Sequence, residues 1–173
     1  MKKQNILTLV VGAVVLLALG IGVFIRLHPT PEEVHYHAGF QVYVDGQLQD
    51  FADLKYMQIK PCGGVFDNED DQIEKAHLHD NVGDVVHVHR KGAMWGDLFK
   101  NLQWEIPKDK EFVGYLNGER KENLLNYPLL PYDSVVFFSG KIEDMNHKLQ
   151  ARVTDDHMKE VEKGSENCGT ENK

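Results

Sequence analysis

Apolar and polar positions change their spacing several times along the chain, and each change predicts an element. Residues 6–25 carry no charged side chain, only Thr8 and three glycines among aliphatics and one Phe. Twenty residues at a rise of about 1.5 Å match a hydrocarbon core of about 30 Å. The apolar core of a cleavable signal is shorter, and Ala18-Leu19-Gly20 is a poor cleavage match, so the run predicts an uncleaved transmembrane signal anchor over 6–27. Lys2 and Lys3 precede it, while Glu32 and Glu33 follow Arg26. The basic end, residues 1–5, is therefore expected to be a cytoplasmic tail. The expected localisation is the cell membrane, single-pass, with an extracytoplasmic body and the membrane as partner through the N-terminal helix.

Beyond a Pro- and Glu-containing linker, 28–34, the spacing shortens to two. Phe40, Val42 and Val44 alternate with Gln41, Tyr43 and Asp45, and Asp45-Gly46 is a strong hairpin signal. A return strand is expected over 47–51 and a further one over 56–60. Residues 61–74 combine Pro, Gly-Gly and five acidic side chains, which reads as a solvated acidic loop with a short helix; the spacing does not reproduce an EF-hand calcium loop. Strand-like alternation returns over 77–80 and 85–89, with turn residues between. A turn at 81–83, with Gly83 at positive φ, would set His77 opposite His87.

Trp95, Leu98, Phe99 and Leu102 then repeat at helical spacing within 93–104, a core stripe closed by Pro107. Residues 112–116 and 119–121 flank the hairpin signal Asn117-Gly118, and 134–138 form an apolar interior strand. The sum is an α+β fold: a small mixed β-sheet domain over 35–140 with one packed helix, β-grasp-like in layout. A charged C-terminal helical tail, 141–173, carries Ile142, Met145, Leu149, Val153 and Met158 as a loose apolar stripe.

Charge narrows the partners. With Lys2, Lys3 and Arg26 set aside, 16 of the 19 basic residues remain against 27 acidic ones, a formal −11. That disfavours nucleic acid and anionic headgroups and suits a cation. Cys62 and Cys168 are the only cysteines. In an oxidising compartment they are a disulfide candidate, with free thiols or a soft metal ligand as alternatives.

Six of the nine histidines form three His-x-His pairs, His35/His37, His77/His79 and His87/His89, where chance at this abundance gives roughly 0.5. Two apart on a strand means one side of the sheet. Neutral imidazole is the commonest protein metal ligand, and zinc and copper favour all-nitrogen sites. The expected metal site is His35, His37, His77, His79, His87 and His89, with Asp80 as a further ligand or as an acceptor that fixes a tautomer. Six rings exceed one tetrahedral site, so two metals, or one metal with hydrogen-bonded histidines, both remain open. Met57 and Met94 read as core, and His147 and His157 as surface. Two rival functions stand beside metal binding: hydrolysis by a metal-bound water with Asp80 or Asp84 as base, and a metal-free, pH-sensitive interaction face that charges below about pH 6.5.

The ordered motifs His35-x-His37, Val42-Tyr43-Val44-Asp45-Gly46, His77-Leu78-His79-Asp80, Gly83-Asp84-Val85-Val86-His87-Val88-His89 and Gly96-Asp97-Leu98-Phe99 resemble those of a group of uncharacterised secreted or membrane-anchored bacterial and archaeal proteins. The resemblance spans 35–139. It implies the domain and the histidine cluster without naming a reaction, and His89 is where this chain departs from the group's pattern. The ligand patterns of metallo-β-lactamases, multicopper oxidases and cupins are not met.

Overall fold

The structure is a computed structural model that describes residues 2–27, 33–57 and 71–165. The chain divides into two compact units, Met1–Glu32 and Glu33–Lys173. Among the described residues the first unit holds the helix α1 (Lys2–Leu27). Among the described residues no helix is long and apolar enough to cross a membrane. This overturns the transmembrane signal anchor, and with it the membrane as partner and the single-pass placement with a cytoplasmic N-terminus. Most of the linker 28–34, together with Cys62 and Cys168, lies outside the described residues.

The second unit is built on one long strand, β1 (Glu33–Val44). Asp45 and Gly46, at φ 48° and 83°, turn it into β2 (Gln47–Leu48), as an Asp-Gly turn does. The second half of β1 runs parallel to β6 (Ser134–Ser139), from Gly39 opposite Ser134 to Val44 opposite Ser139. Its first half runs antiparallel to β3 (Val85–Arg90). β4 (Phe112–Leu116) pairs with β6 and turns at Asn117-Gly118 into β5 (Glu119–Lys121). The order is β2-β1-β6-β4-β5, with β3 against β1. A mixed sheet with helices is α+β, as the alternation predicts.

Period-two alternation sorts the side chains onto two faces. Ala38, Phe40 and Val42 of β1, Val86 and Val88 of β3, and Val135 and Phe137 of β6 share one core with Trp95, Leu98, Phe99 and Leu102 of α3 (Trp95–Leu102). The predicted helical stripe is thus the wall of the main core. The helix is shorter than the periodicity suggests: Gln103 takes a left-handed φ of 51° and ends it before Pro107 is reached. Met94, expected in the core, is 39% exposed at the helix start. Glu74, expected in a solvated loop, is buried at the end of the five-residue helix α2 (Asp71–Lys75).

The opposite face is covered by the segment expected to be a tail. Tyr43, Val136 and Phe138 pack with Met145 and Leu149 of α4 (Met145–Gln150), and Val85 packs with Val153 and with Met158 of α5 (Asp155–Ser165). The stripe along 141–163 holds except at Ile142, which is exposed, but the helix breaks between Gln150 and Asp155. Every residue of β6 is buried as a result, which explains why that strand is a continuous apolar run.

Gly39 shows how closely this second wall sits: a Cβ there would overlap Cβ and Cγ1 of Val153. Gly39→Ala is expected to cost about 1–3 kcal/mol of stability, the usual range for overpacking a filled core. In a double-mutant cycle read by chemical denaturation, Gly39→Ala with Val153→Gly should be less destabilised than the two single losses added.

Candidate metal centre

Where the first face of β1 and β3 carries aliphatic side chains, the second carries imidazoles. His37 stands opposite His87 in the β1–β3 register. On the far side of β3, His77 and His87 exchange both backbone hydrogen bonds, at 3.0 and 2.9 Å. Two strands and the bridge at His77 therefore bring His37, His87 and His77 to one level, and the expected pairing of His77 with His87 is present. The turn that permits it differs from expectation. Asp80 and Asn81 take the left-handed conformation, at φ 58° and 59°, and Val82 N–H donates to the His79 carbonyl at 3.1 Å. Gly83 is needed for space, since a Cβ would meet the backbone of Phe51 and Ala52.

The approach to His77 is pinned from the main core. Asn101 of α3 donates through Nδ2 to the carbonyls of Gln72 at 2.9 Å and Ala76 at 2.6 Å, satisfying groups that the end of a short helix leaves bare. The neighbouring Ile73 carbonyl accepts from His77 Nδ1 at 3.0 Å. A carbonyl can only accept, so His77 carries its hydrogen on Nδ1 and presents the lone pair of Nε2. His79 is fixed in the same way: Nδ1 donates to Asp80 Oδ2 at 2.6 Å, and Nε2 is the acceptor.

His87 is the hub. Its Nδ1 lies 2.7 Å from His79 Nε2 and 2.8 Å from His37 Nε2, so two other rings turn a nitrogen to the same atom. Because His79 Nε2 accepts, the hydrogen of neutral His87 sits on Nδ1 and its Nε2 holds a lone pair. On the other side, where β1 bulges between Glu33 and Tyr36, the His35 ring stacks on His89 with centroids 4.8 Å apart. His77 stacks on the same ring at 5.3 Å. One nitrogen from each of His35, His87 and His89 falls within 4.8 Å of the others, a cluster that could hold a metal ion. His35 is exposed and His89 half-buried, while His37, His77, His79 and His87 are buried.

Burial sets the charge state. Desolvation holds His37 and His77 down to about 4 and His89 to about 3, with neighbouring rings adding to the depression and, at His77, the Ile73 carbonyl opposing it. His87 is pushed down furthest, again chiefly by burial and next by His37. These rings are neutral at pH 7, the form that binds metals.

Two residues near the cluster escape the His-x-His pattern. Glu162 of α5 places Oε1 4.0 Å from His37 Nδ1, and Tyr132 donates to its Oε2 at 2.6 Å. Glu162 follows buried Met158 by four positions, which places it on the inward side of α5; that spacing was its signal. His147 is exposed, as expected. His157, also exposed, pairs through Nε2 with Asp84 Oδ1 at 3.1 Å.

Comparison with family models, curated proteins and solved structures finds no match to this chain.

Neutral buried rings make acid destabilising. The unfolded chain takes up protons near pH 6.5, whereas folded His37 and His77 do so only near 4. Stability is therefore complete above pH 6.5 and lost as pH falls toward 4. Urea midpoints of the metal-free chain should fall steeply across that window, and less steeply in His77→Gln measured relative to its own pH 7 value.

Proposed function

We propose that the domain binds a first-row transition metal, zinc or copper, through its histidine cluster: His35, His37, His77, His79, His87 and His89, with Asp80 holding the His79 tautomer. One observation carries this reading. Nε2 of His77, of His87 and of His89 are all buried without a hydrogen-bond partner. Each such atom costs about 1–3 kcal/mol when left unsatisfied. A cation that accepts nitrogen lone pairs converts three penalties into bonds, and all-nitrogen donors suit zinc and copper rather than calcium or magnesium.

The rival readings meet specific obstacles. For hydrolysis, both candidate bases already serve imidazoles through one oxygen, Asp84 Oδ1 accepting from His157 and Asp80 Oδ2 from His79. A face that charges at pH 6.5 needs rings near their ordinary pKa, yet burial holds His37 and His77 to about 4.

Untagged full-length chain should take up zinc or copper in equilibrium titration and retain it through gel filtration, as read by elemental analysis. Zinc at a hundredfold excess over Kd should raise the unfolding free energy by about 2.7 kcal/mol. His87→Ala should abolish uptake, and Asp80→Asn should weaken it about 10–100-fold, the usual effect of losing a carboxylate behind a ligating histidine. Wild-type chain that is folded and takes up neither metal would overturn the proposal.

A further inference from the structure

We infer that the cluster holds two metal ions, one on each nitrogen of His87, with that ring as the bridge between them. The inference rests on the metal-binding reading and adds its nuclearity. His87 Nδ1 is already the meeting point of His37 Nε2 and His79 Nε2, at 2.8 and 2.7 Å. Three nitrogens on one tetrahedral zinc, each about 2.0 Å from it, lie about 3.3 Å apart. The two contacts of His87 Nδ1 therefore reach ligand spacing by lengthening about half an ångström each. This is a small adjustment for rings whose one shared hydrogen a cation would replace.

The second position uses the other edge of the same ring. His87 also belongs to the trio with His35 and His89, whose donor atoms lie within 4.8 Å. With Nδ1 turned to His37 and His79, the atom left for that trio is Nε2, which is buried and without a hydrogen-bond partner. His77 Nε2 is equally without one, and its ring stacks on that of His89 at 5.3 Å. A single ion leaves one of the two trios unfilled, whereas two ions occupy both.

The proton balance follows from the tautomers. His79 keeps its hydrogen on Nδ1 against Asp80, and His77 keeps its own on Nδ1 against Ile73. His87 must surrender its single ring hydrogen: the N–H bond breaks, a nitrogen–metal bond forms on each side, and the proton passes to solvent. One proton per chain is thus released from His87 when both positions fill.

Copper(II) titrated into the untagged full-length chain is the test, followed by electron paramagnetic resonance, stoichiometry and proton release in buffers of different ionisation enthalpy. The wild type should bind two equivalents. Its signal should grow to one equivalent and then fall as the second ion couples to the first through His87, with one proton released. His35→Gln, at an exposed position, removes an outer donor without disturbing the core, and His79→Gln removes an inner one. Each should bind one equivalent with an uncoupled signal. Two equivalents at full uncoupled intensity would overturn the bridge, as would a single wild-type equivalent lost in His35→Gln and unchanged in His79→Gln. Both outcomes leave the metal-binding reading standing, and only a folded chain that binds no copper or zinc defeats the two together.

Discussion

The level at which β1, β3 and the 77–78 segment pair governs the second face of the sheet. His37, His87 and His77 sit side by side because the registers of two antiparallel pairings agree at one residue, His87. A slip of one position in either pairing would send an imidazole into the core beside Trp95 and bring an aliphatic side chain to the cluster. Both consequences are costly, so the core on the first face enforces the constellation on the second. The histidines need no covalent tie to remain together, since the packing of Phe40, Val42, Val86 and Val88 against α3 keeps their strands aligned.

That packing also explains how neutral imidazoles are retained in a dry place. An ionised ring there would need a partner, and the cluster instead lowers ring basicity by desolvation and by mutual repulsion among rings. The hydrogen bonds at the rear of His77 and His79 then set which nitrogen faces inward. The rigidity is layered: α3 holds the end of α2 through Asn101, α2 holds His77 through Ile73, and His77 meets His87 across a backbone pair. A polar side chain on the far side of the main core thereby helps determine the direction of a lone pair on the other face.

Much of this was legible in the residues alone. Period-two alternation and the Asp45-Gly46 and Asn117-Gly118 signals located the hairpins, the Trp95 to Leu102 stripe located the core helix, and the three His-x-His pairs marked the side chains that converge. Three things escaped. The turn after His79 uses left-handed Asp80 and Asn81, which compete with glycine for such positions, so Gly83 was given a conformational role when its real constraint is the nearby 51–52 backbone. The parallel pairing of β1 with β6 joins strands some ninety residues apart, and local spacing carries no information about it. The C-terminal segment looked like a tail because its charge masked a stripe whose partner is the second face, and Glu162 went unnoticed with it. The N-terminal apolar run misled in the other direction: among the described residues no helix is long and apolar enough to cross a membrane.

Exposure across the cluster runs in one direction. His35 stands in water, His89 is half covered, and His37, His77 and His87 are buried. Under the proposed metal binding, a hydrated cation arriving from solution would meet the outermost ring first and exchange its waters for nitrogens stepwise, without complete dehydration in a single event. The same gradient would make departure slow for an ion seated deepest, because the shallow donors must let go before the inner ones are uncovered. The bulge beside His35 in β1 would thus give the proposed site a kinetic asymmetry, with graded capture and loss rate-limited by the innermost rings.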